Sequence, residues 1–134
     1  MDDDLFDAAR NAMKNAYAPY SGFRVGAVVR AGNGRLYAGC NVENAAYPQG
    51  CCAEASAISA MVLAGQTVIT EVAVMGAGEA LVTPCGGCRQ RIREFARDDV
   101  VIHIYGPEGR RRSLILGDLL PMSFGPDNLK GDNA

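Results

Sequence analysis

Two short stretches hold the residue types that could do chemistry, Cys52-Ala53-Glu54 and Thr83-Pro84-Cys85-Gly86-Gly87-Cys88. A C-x-x-C pair places two thiolates on one turn. Tetrahedral zinc takes sulfur ligands at about 2.3 Å, so such a pair fills two corners and needs ligands from elsewhere. Cys52 is the obvious third. Three protein ligands with an open fourth corner form the catalytic pattern, whereas structural sites close all four positions. The open corner holds water, and coordination can bring that water to a pKa near 7. Glu54 lies two residues after a ligand, close enough to touch the water without binding the metal, and suits proton transfer worth about 10²- to 10⁴-fold. On its own, a C-x-x-C pair is often structural or redox-active, and a lone Glu here would be a helix-start acid complementing the dipole.

The elements around these residues are legible from spacing. Leu5, Ala8, Ala9, Ala12, Met13 and Ala16 recur at helical intervals behind the acids Asp2 to Asp4. After the break at Ala18-Pro19-Tyr20-Ser21-Gly22, Phe23 to Val29 reads as the first strand. Asn33-Gly34 is a hairpin signal, so Leu36 to Cys40 should return antiparallel. Asn41-Val42-Glu43-Asn44 follows, where polar side chains can point into a site. Ala57, Ile58, Ala60, Met61 and Ala64 give a helix from Ala53, ended by Gly65, with Cys52 and Glu54 at its first turn. Val68 to Met75 reads as a strand, Cys85 to Phe95 as a helix opened by Pro84, and Val100 to Tyr105 as a strand. Strand, helix, strand implies parallel pairing with right-handed crossovers. Arg112 to Ile115 completes the set as a fifth strand, with a short helical turn before Pro121. The expected fold class is α/β, one mixed five-stranded sheet with helices on both faces, in a single domain over 1–134. The polar tail 127–134 is expected to be disordered.

Composition narrows the function classes. The chain has 134 residues, 49% apolar and 21% charged, which suits one globular domain. Net charge is −2 and the Arg-rich runs are balanced by acids, which argues against a nucleic-acid partner. No apolar run approaches a membrane span, so no membrane partner is expected. Met1-Asp2-Asp3-Asp4 lacks the basic start of an export signal, which predicts a cytoplasmic location. Five cysteines is an odd count, and in a reducing compartment ligand spacing favours zinc over disulfides. Cys40 and Cys51 have no matching role, and Cys51 reads as a small packing residue. His103, in an apolar strand pattern, reads as structural.

With these residues in view, the sequence resembles the small homotetrameric cytidine deaminases of the three-cysteine type. Their signature is a first ligand, one residue, Glu, and later P-C-x-x-C, and this chain has Cys52-Ala53-Glu54 and Pro84-Cys85-Gly86-Gly87-Cys88-Arg89-Gln90. The resemblance runs from about Ala8 to Pro126, through Tyr20-Ser21-Gly22-Phe23-Arg24-Val25-Gly26-Ala27, Gly39-Cys40-Asn41-Val42-Glu43-Asn44-Ala45-Ala46-Tyr47 and Phe124-Gly125-Pro126. It implies a three-layer α/β/α fold and one zinc ion per chain on Cys52, Cys85 and Cys88, with Glu54 catalytic. It also implies hydrolysis of cytidine or deoxycytidine to the uridine product and ammonia, in pyrimidine salvage. Asn41 and Glu43 would bind the ribose hydroxyls, Phe23 would pack against the nucleoside, and Ala53 would contribute to substrate binding. Phe124 would stack on the base from a neighbouring subunit of a homotetramer with shared active sites.

One departure is visible. In the three-cysteine members the residue after the catalytic Glu is usually Arg, placed to hydrogen-bond the thiolates and offset their charge, and here it is Ala55. The two helix N-termini supply partial positive charge instead. Arg89, Arg91 and Arg93 are the candidates for a whole one, and Gly87 leaves room for such an approach. Two other functions fit the motifs: deamination of a modified or antibiotic aminopyrimidine nucleoside, and a non-catalytic zinc-stabilised binding module. Asn41 and Glu43 favour a free ribose, and the retention of Glu54 favours catalysis.

Overall fold

The structure, a computed structural model, describes residues 2–130, with side chains from Asp4 onward. In chain order the elements are α1 (Asp2–Lys14), β1 (Val25–Ala31), β2 (Leu36–Cys40), a 3-10 turn (Tyr47–Gln49), α2 (Ala53–Leu63) and β3 (Ile69–Gly76). There follow α3 (Gly86–Phe95), β4 (Val101–Gly106), β5 (Gly109–Ile115), α4 (Leu116–Leu119) and α5 (Pro126–Lys130). The strands form one mixed sheet in the order β2-β1-β3-β4-β5. β3 and β4, joined through α3, run parallel, while the remaining neighbours are antiparallel.

Alternation along the strands divides the sheet between two cores. Val28, Ala73, Met75 and Tyr105 face α1, where Leu5 and Ala9 are buried. Their neighbours Ala27, Val29, Val72, Val74, Ile102 and Ile104 face the other way, onto Ala57 and Met61 of α2 and Ile92 of α3. This is the period-two pattern of strands covered on both sides. Two glycines let the helices come close: a Cβ on Gly26 would lie 2.2 Å from the Ala9 carbonyl oxygen, and one on Gly39 would lie 2.3 Å from the Ala57 nitrogen. Gly39 therefore seats the first turn of α2, the turn that carries Cys52 and Glu54. Among the described residues, no helix is long and apolar enough to cross a membrane.

Most boundaries agree with the spacing, and the differences have local causes. β1 begins at Val25 rather than Phe23 because the Asn41 side chain takes the backbone there: its Oδ1 accepts from the Val25 N–H at 2.8 Å and its Nδ2 donates to the Phe23 carbonyl at 2.8 Å. β5 starts at Gly109, earlier than Arg112, because the charged run Arg110 to Arg112 forms an edge strand whose alternation composition hides. The expected disorder from Asp127 gives way to a helical turn over Pro126–Lys130. Pro126 pre-sets the first helical φ, and Asn128 Oδ1 accepts from the Gly125 N–H at 2.8 Å. The rest of that expected tail, 131–134, lies outside the described residues.

Candidate active site

Two helix starts converge on three thiols. Cys52 is the N-cap of α2 and Cys85 the N-cap of α3, both in extended backbone, so each chain segment turns into its helix at a ligand-bearing residue. Cys88 lies one turn into α3 and is fully buried. The Sγ atoms of Cys52, Cys85 and Cys88 all lie within 4.8 Å of one another, with Cys52 and Cys85 at 4.0 Å. Tetrahedral zinc bonded at about 2.3 Å would separate its sulfurs by about 3.8 Å, so the donor set and spacing fit that ion.

The electrostatics favour a cation in the middle. Burial pushes the Cys88 thiol far up, and the Glu54 carboxylate and the neighbouring cysteines add to it. Burial also raises Cys52, whereas the backbone amide of Cys88 lowers Cys85. A divalent ion reverses this balance, since a coordinating thiol is deprotonated outright. Glu54, in the first turn of α2, is 5% exposed, and burial raises its carboxyl above the ordinary range. That is the direction expected of a carboxyl used as both proton acceptor and donor.

Beside the cluster lies a cleft of about 550 Å³ lined by Tyr20, Ser21, Asn41, Glu43, Tyr47 and Cys52 among others. Its size falls in the range of small-molecule sites. The 17–24 and 41–50 segments are tied into one wall. Tyr17 N–H donates to the Asn41 carbonyl at 3.0 Å, Glu43 N–H to the Tyr17 carbonyl at 2.8 Å, and Val42 and Cys51 exchange both backbone bonds. Glu43 accepts from the Ser21 hydroxyl and from the Tyr20 and Ser21 N–H groups, which together hold its carboxyl below the ordinary range. Ser21 Oγ accepts in turn from the Phe23 N–H at 2.9 Å.

The structure thus brings Cys52, Cys85 and Cys88 together and puts Asn41 and Glu43 in the cleft that Cys52 also lines. Ala53 is buried at the start of α2. Phe23 and Phe124 are 45% and 58% exposed and do not line the cleft. The Phe124 carbonyl accepts from Gln90 Nε2 on α3 at 2.8 Å, which ties its segment to the helix that carries Cys88. Cys51 corrects its expected packing role: it is exposed and lines the cleft, because its bridge to Val42 holds it on the wall. Tyr20, Ser21 and Tyr47 had no role assigned from spacing. The pairing of the two segments that brings them to the cleft leaves no periodic trace. His103 is structural as expected, with Nδ1 at 2.8 Å from Ser113 Oγ and Nε2 at 2.7 Å from Glu71 Oε2.

Comparison with known proteins agrees with this geometry. Residues 1–104 match the family described as the cytidine and deoxycytidylate deaminase zinc-binding region. A cytidine deaminase of Sporosarcina psychrophila is 37% identical over 125 residues, covering 93% of this chain and 92% of its own. One from Mycobacterium tuberculosis (strain CDC 1551 / Oshkosh) is 39% identical over 121 residues, covering 90% and 87%. The 1.6 Å crystal structure of cytidine deaminase from Burkholderia pseudomallei superposes with a TM-score of 0.87 at 37% identity, covering 92% of this chain and 99% of that one. The chain belongs to the cytidine deaminase family, with the three-layer α/β/α fold and the zinc-binding cysteine cluster of that class.

Proposed function

We propose that this chain hydrolyses cytidine and deoxycytidine to uridine and deoxyuridine, releasing ammonia, with one zinc ion held by Cys52, Cys85 and Cys88. The observation that carries the reading is a three-thiol cluster with a buried carboxyl two residues after its first member, beside a cleft sized for a nucleoside. When bound, zinc supplies Lewis acidity that makes water a competent nucleophile near neutral pH.

The chain's own groups do the rest. Glu54 takes one proton from the attacking water and passes it to N3 of the cytosine ring as the C–O bond forms at C4. It then carries the remaining hydroxyl proton to the amine, so that the C–N bond breaks with loss of ammonia and C4 becomes a carbonyl. Its burial keeps bulk water from competing for that proton. Asn41 and Glu43 bind the ribose hydroxyls: Glu43 is held ionised by Ser21 and Tyr20, and Asn41 keeps a second lone pair and a second N–H beyond its bonds to Val25 and Phe23. Ala53, at the start of α2, borders the base. Phe23 packs against the nucleoside, and Phe124 stacks on the base from a neighbouring chain of a homotetramer. The exposure of both rings supports a shared site. Such a reaction fits pyrimidine salvage.

The test is direct: purified protein is mixed with cytidine and with deoxycytidine while cytosine absorbance and ammonia are followed. Loss of absorbance with stoichiometric ammonia is the expected result. Turnover of a modified aminopyrimidine nucleoside alone would redirect the substrate, and no turnover of any would leave a binding module.

A further inference from the structure

Zinc(II) with three thiolates carries one negative charge in excess, and Glu54 lies among the same groups. The question is which side chain answers that charge. Arg89 is committed elsewhere, donating to the Pro84 carbonyl, the Leu119 carbonyl and Thr83 Oγ1. Arg93 donates to Ser123 Oγ at 3.0 Å and sits 3.8 Å from Asp98. Arg91 differs. Three residues after Cys88 on α3, it turns back along the helix toward the N-terminus, and its Nη1 lies 3.7 Å from Cys88 Sγ.

Two small residues make that path possible. A Cβ on Gly87 would lie 3.1 Å from Arg91 Nη1, tighter than an ordinary contact, so a side chain there would press on the guanidinium. On the other helix Ala55 lines a groove with Arg91, Ser59 and Gln90, and its single methyl leaves that groove open beside the guanidinium. We propose that Arg91 is a positioning residue of the metal site, donating to Cys88 Sγ and offsetting the thiolate charge through the space left by Gly87 and Ala55. The inference rests on the zinc-centre reading and adds to it a residue outside the family signature. A partner behind a metal ligand fixes the ligand's orientation, and its loss typically costs about 10- to 100-fold in metal affinity.

The experiment follows zinc passing from intact zinc-loaded protein to a chromogenic chelator, a readout independent of turnover. Arg91→Ala should release zinc about 10- to 100-fold faster than wild type, while circular dichroism shows the fold retained. Arg91→Lys should recover part of the retention, since charge remains and the planar fork is lost. Gly87→Ala should fall between wild type and Arg91→Ala. Ala55→Arg added to Arg91→Ala should restore retention from the opposite helix, which a merely structural loss at Arg91 would not allow. Wild-type release rates in Arg91→Ala would overturn this inference alone. Wild-type protein with no affinity for zinc would overturn the metal-centre reading and this inference with it.

Discussion

Two polar clusters lie on opposite faces of the sheet, and they handle charge in opposite ways. On the α1 face Glu71 is enclosed by its own counterparts: Arg30 Nε donates to it at 3.1 Å, His103 Nε2 lies 2.7 Å away, and Arg30 continues to Asp4 at 3.1 Å. Burial alone would raise the Glu71 carboxyl, but the bonds to His103 and Arg30 outweigh it and bring it below the ordinary range. On the α2 and α3 face Glu54 is pushed up by burial, and so is Cys88. One cluster is closed by its own ion pairs, and the other gathers groups whose charged forms burial disfavours. A closed network fixes structure, whereas a buried cluster of thiols and a carboxyl whose charged forms burial disfavours suits a cation and its chemistry.

Single substitutions should tell the two clusters apart. The largest effect is expected from Cys88→Ser, which removes the buried ligand: zinc should be lost, turnover should fall below detection and the melting temperature should drop. Elemental analysis and thermal unfolding check this, since zinc binding is also folding free energy, about 10–16 kcal/mol apparent in finger peptides. Next comes Glu54→Gln, which should lower kcat by about 10²- to 10⁴-fold while zinc and fold persist. Steady-state kinetics beside metal analysis separates it from the cysteine variant, and wild-type turnover would remove Glu54 from the reaction.

Phe124→Ala is expected to act on substrate rather than metal. Loss of a stacking contact worth about 1–3 kcal/mol should raise KM by roughly 5- to 150-fold with a smaller change in kcat. Light scattering beside the assay tests the shared site, which a fully active monomer would contradict. Glu71→Gln is expected to leave kcat and KM unchanged and to affect stability only, by about 1–2 kcal/mol or roughly 4–8 °C at neutral pH. The sign follows from linkage. A carboxyl whose folded pKa is lowered adds stability above its unfolded value of about 4.5, and that stability is lost as pH falls through the folded value. Melting temperatures of wild type and variant should therefore differ most above about pH 4.5 and converge as pH falls through the lowered folded value of Glu71. A change in turnover would mean that the α1 face is not merely structural.

The metal half of the site was legible because its residues are close in sequence and their types are rare. Cys52, Glu54, Cys85 and Cys88 stand out by type and spacing, and the helix that Cys52 opens follows from Ala57, Ile58 and Met61 at helical intervals. The wall of the cleft was less legible. Tyr20, Ser21 and Tyr47 meet because the 17–24 and 41–50 segments pair through isolated backbone bonds, which impose no periodicity on side chains. Glu71 and His103 each interrupt an apolar strand, but their partnership depends on the parallel register of β3 with β4, a long-range fact. Arg91 lay between these cases. The charge argument from Ala55 reduced the choice to three arginines, and only the other bonds of Arg89 and Arg93 single it out.

Deamination of cytidine by this chain should depend on one zinc ion held on its three clustered cysteines. Its most direct test is a zinc cycle on purified protein: metal content and cytidine turnover are measured as isolated, after chelation and after zinc is restored. The account predicts one zinc per chain, turnover lost with the metal and recovered with it. Full turnover in protein shown to contain no metal would contradict it.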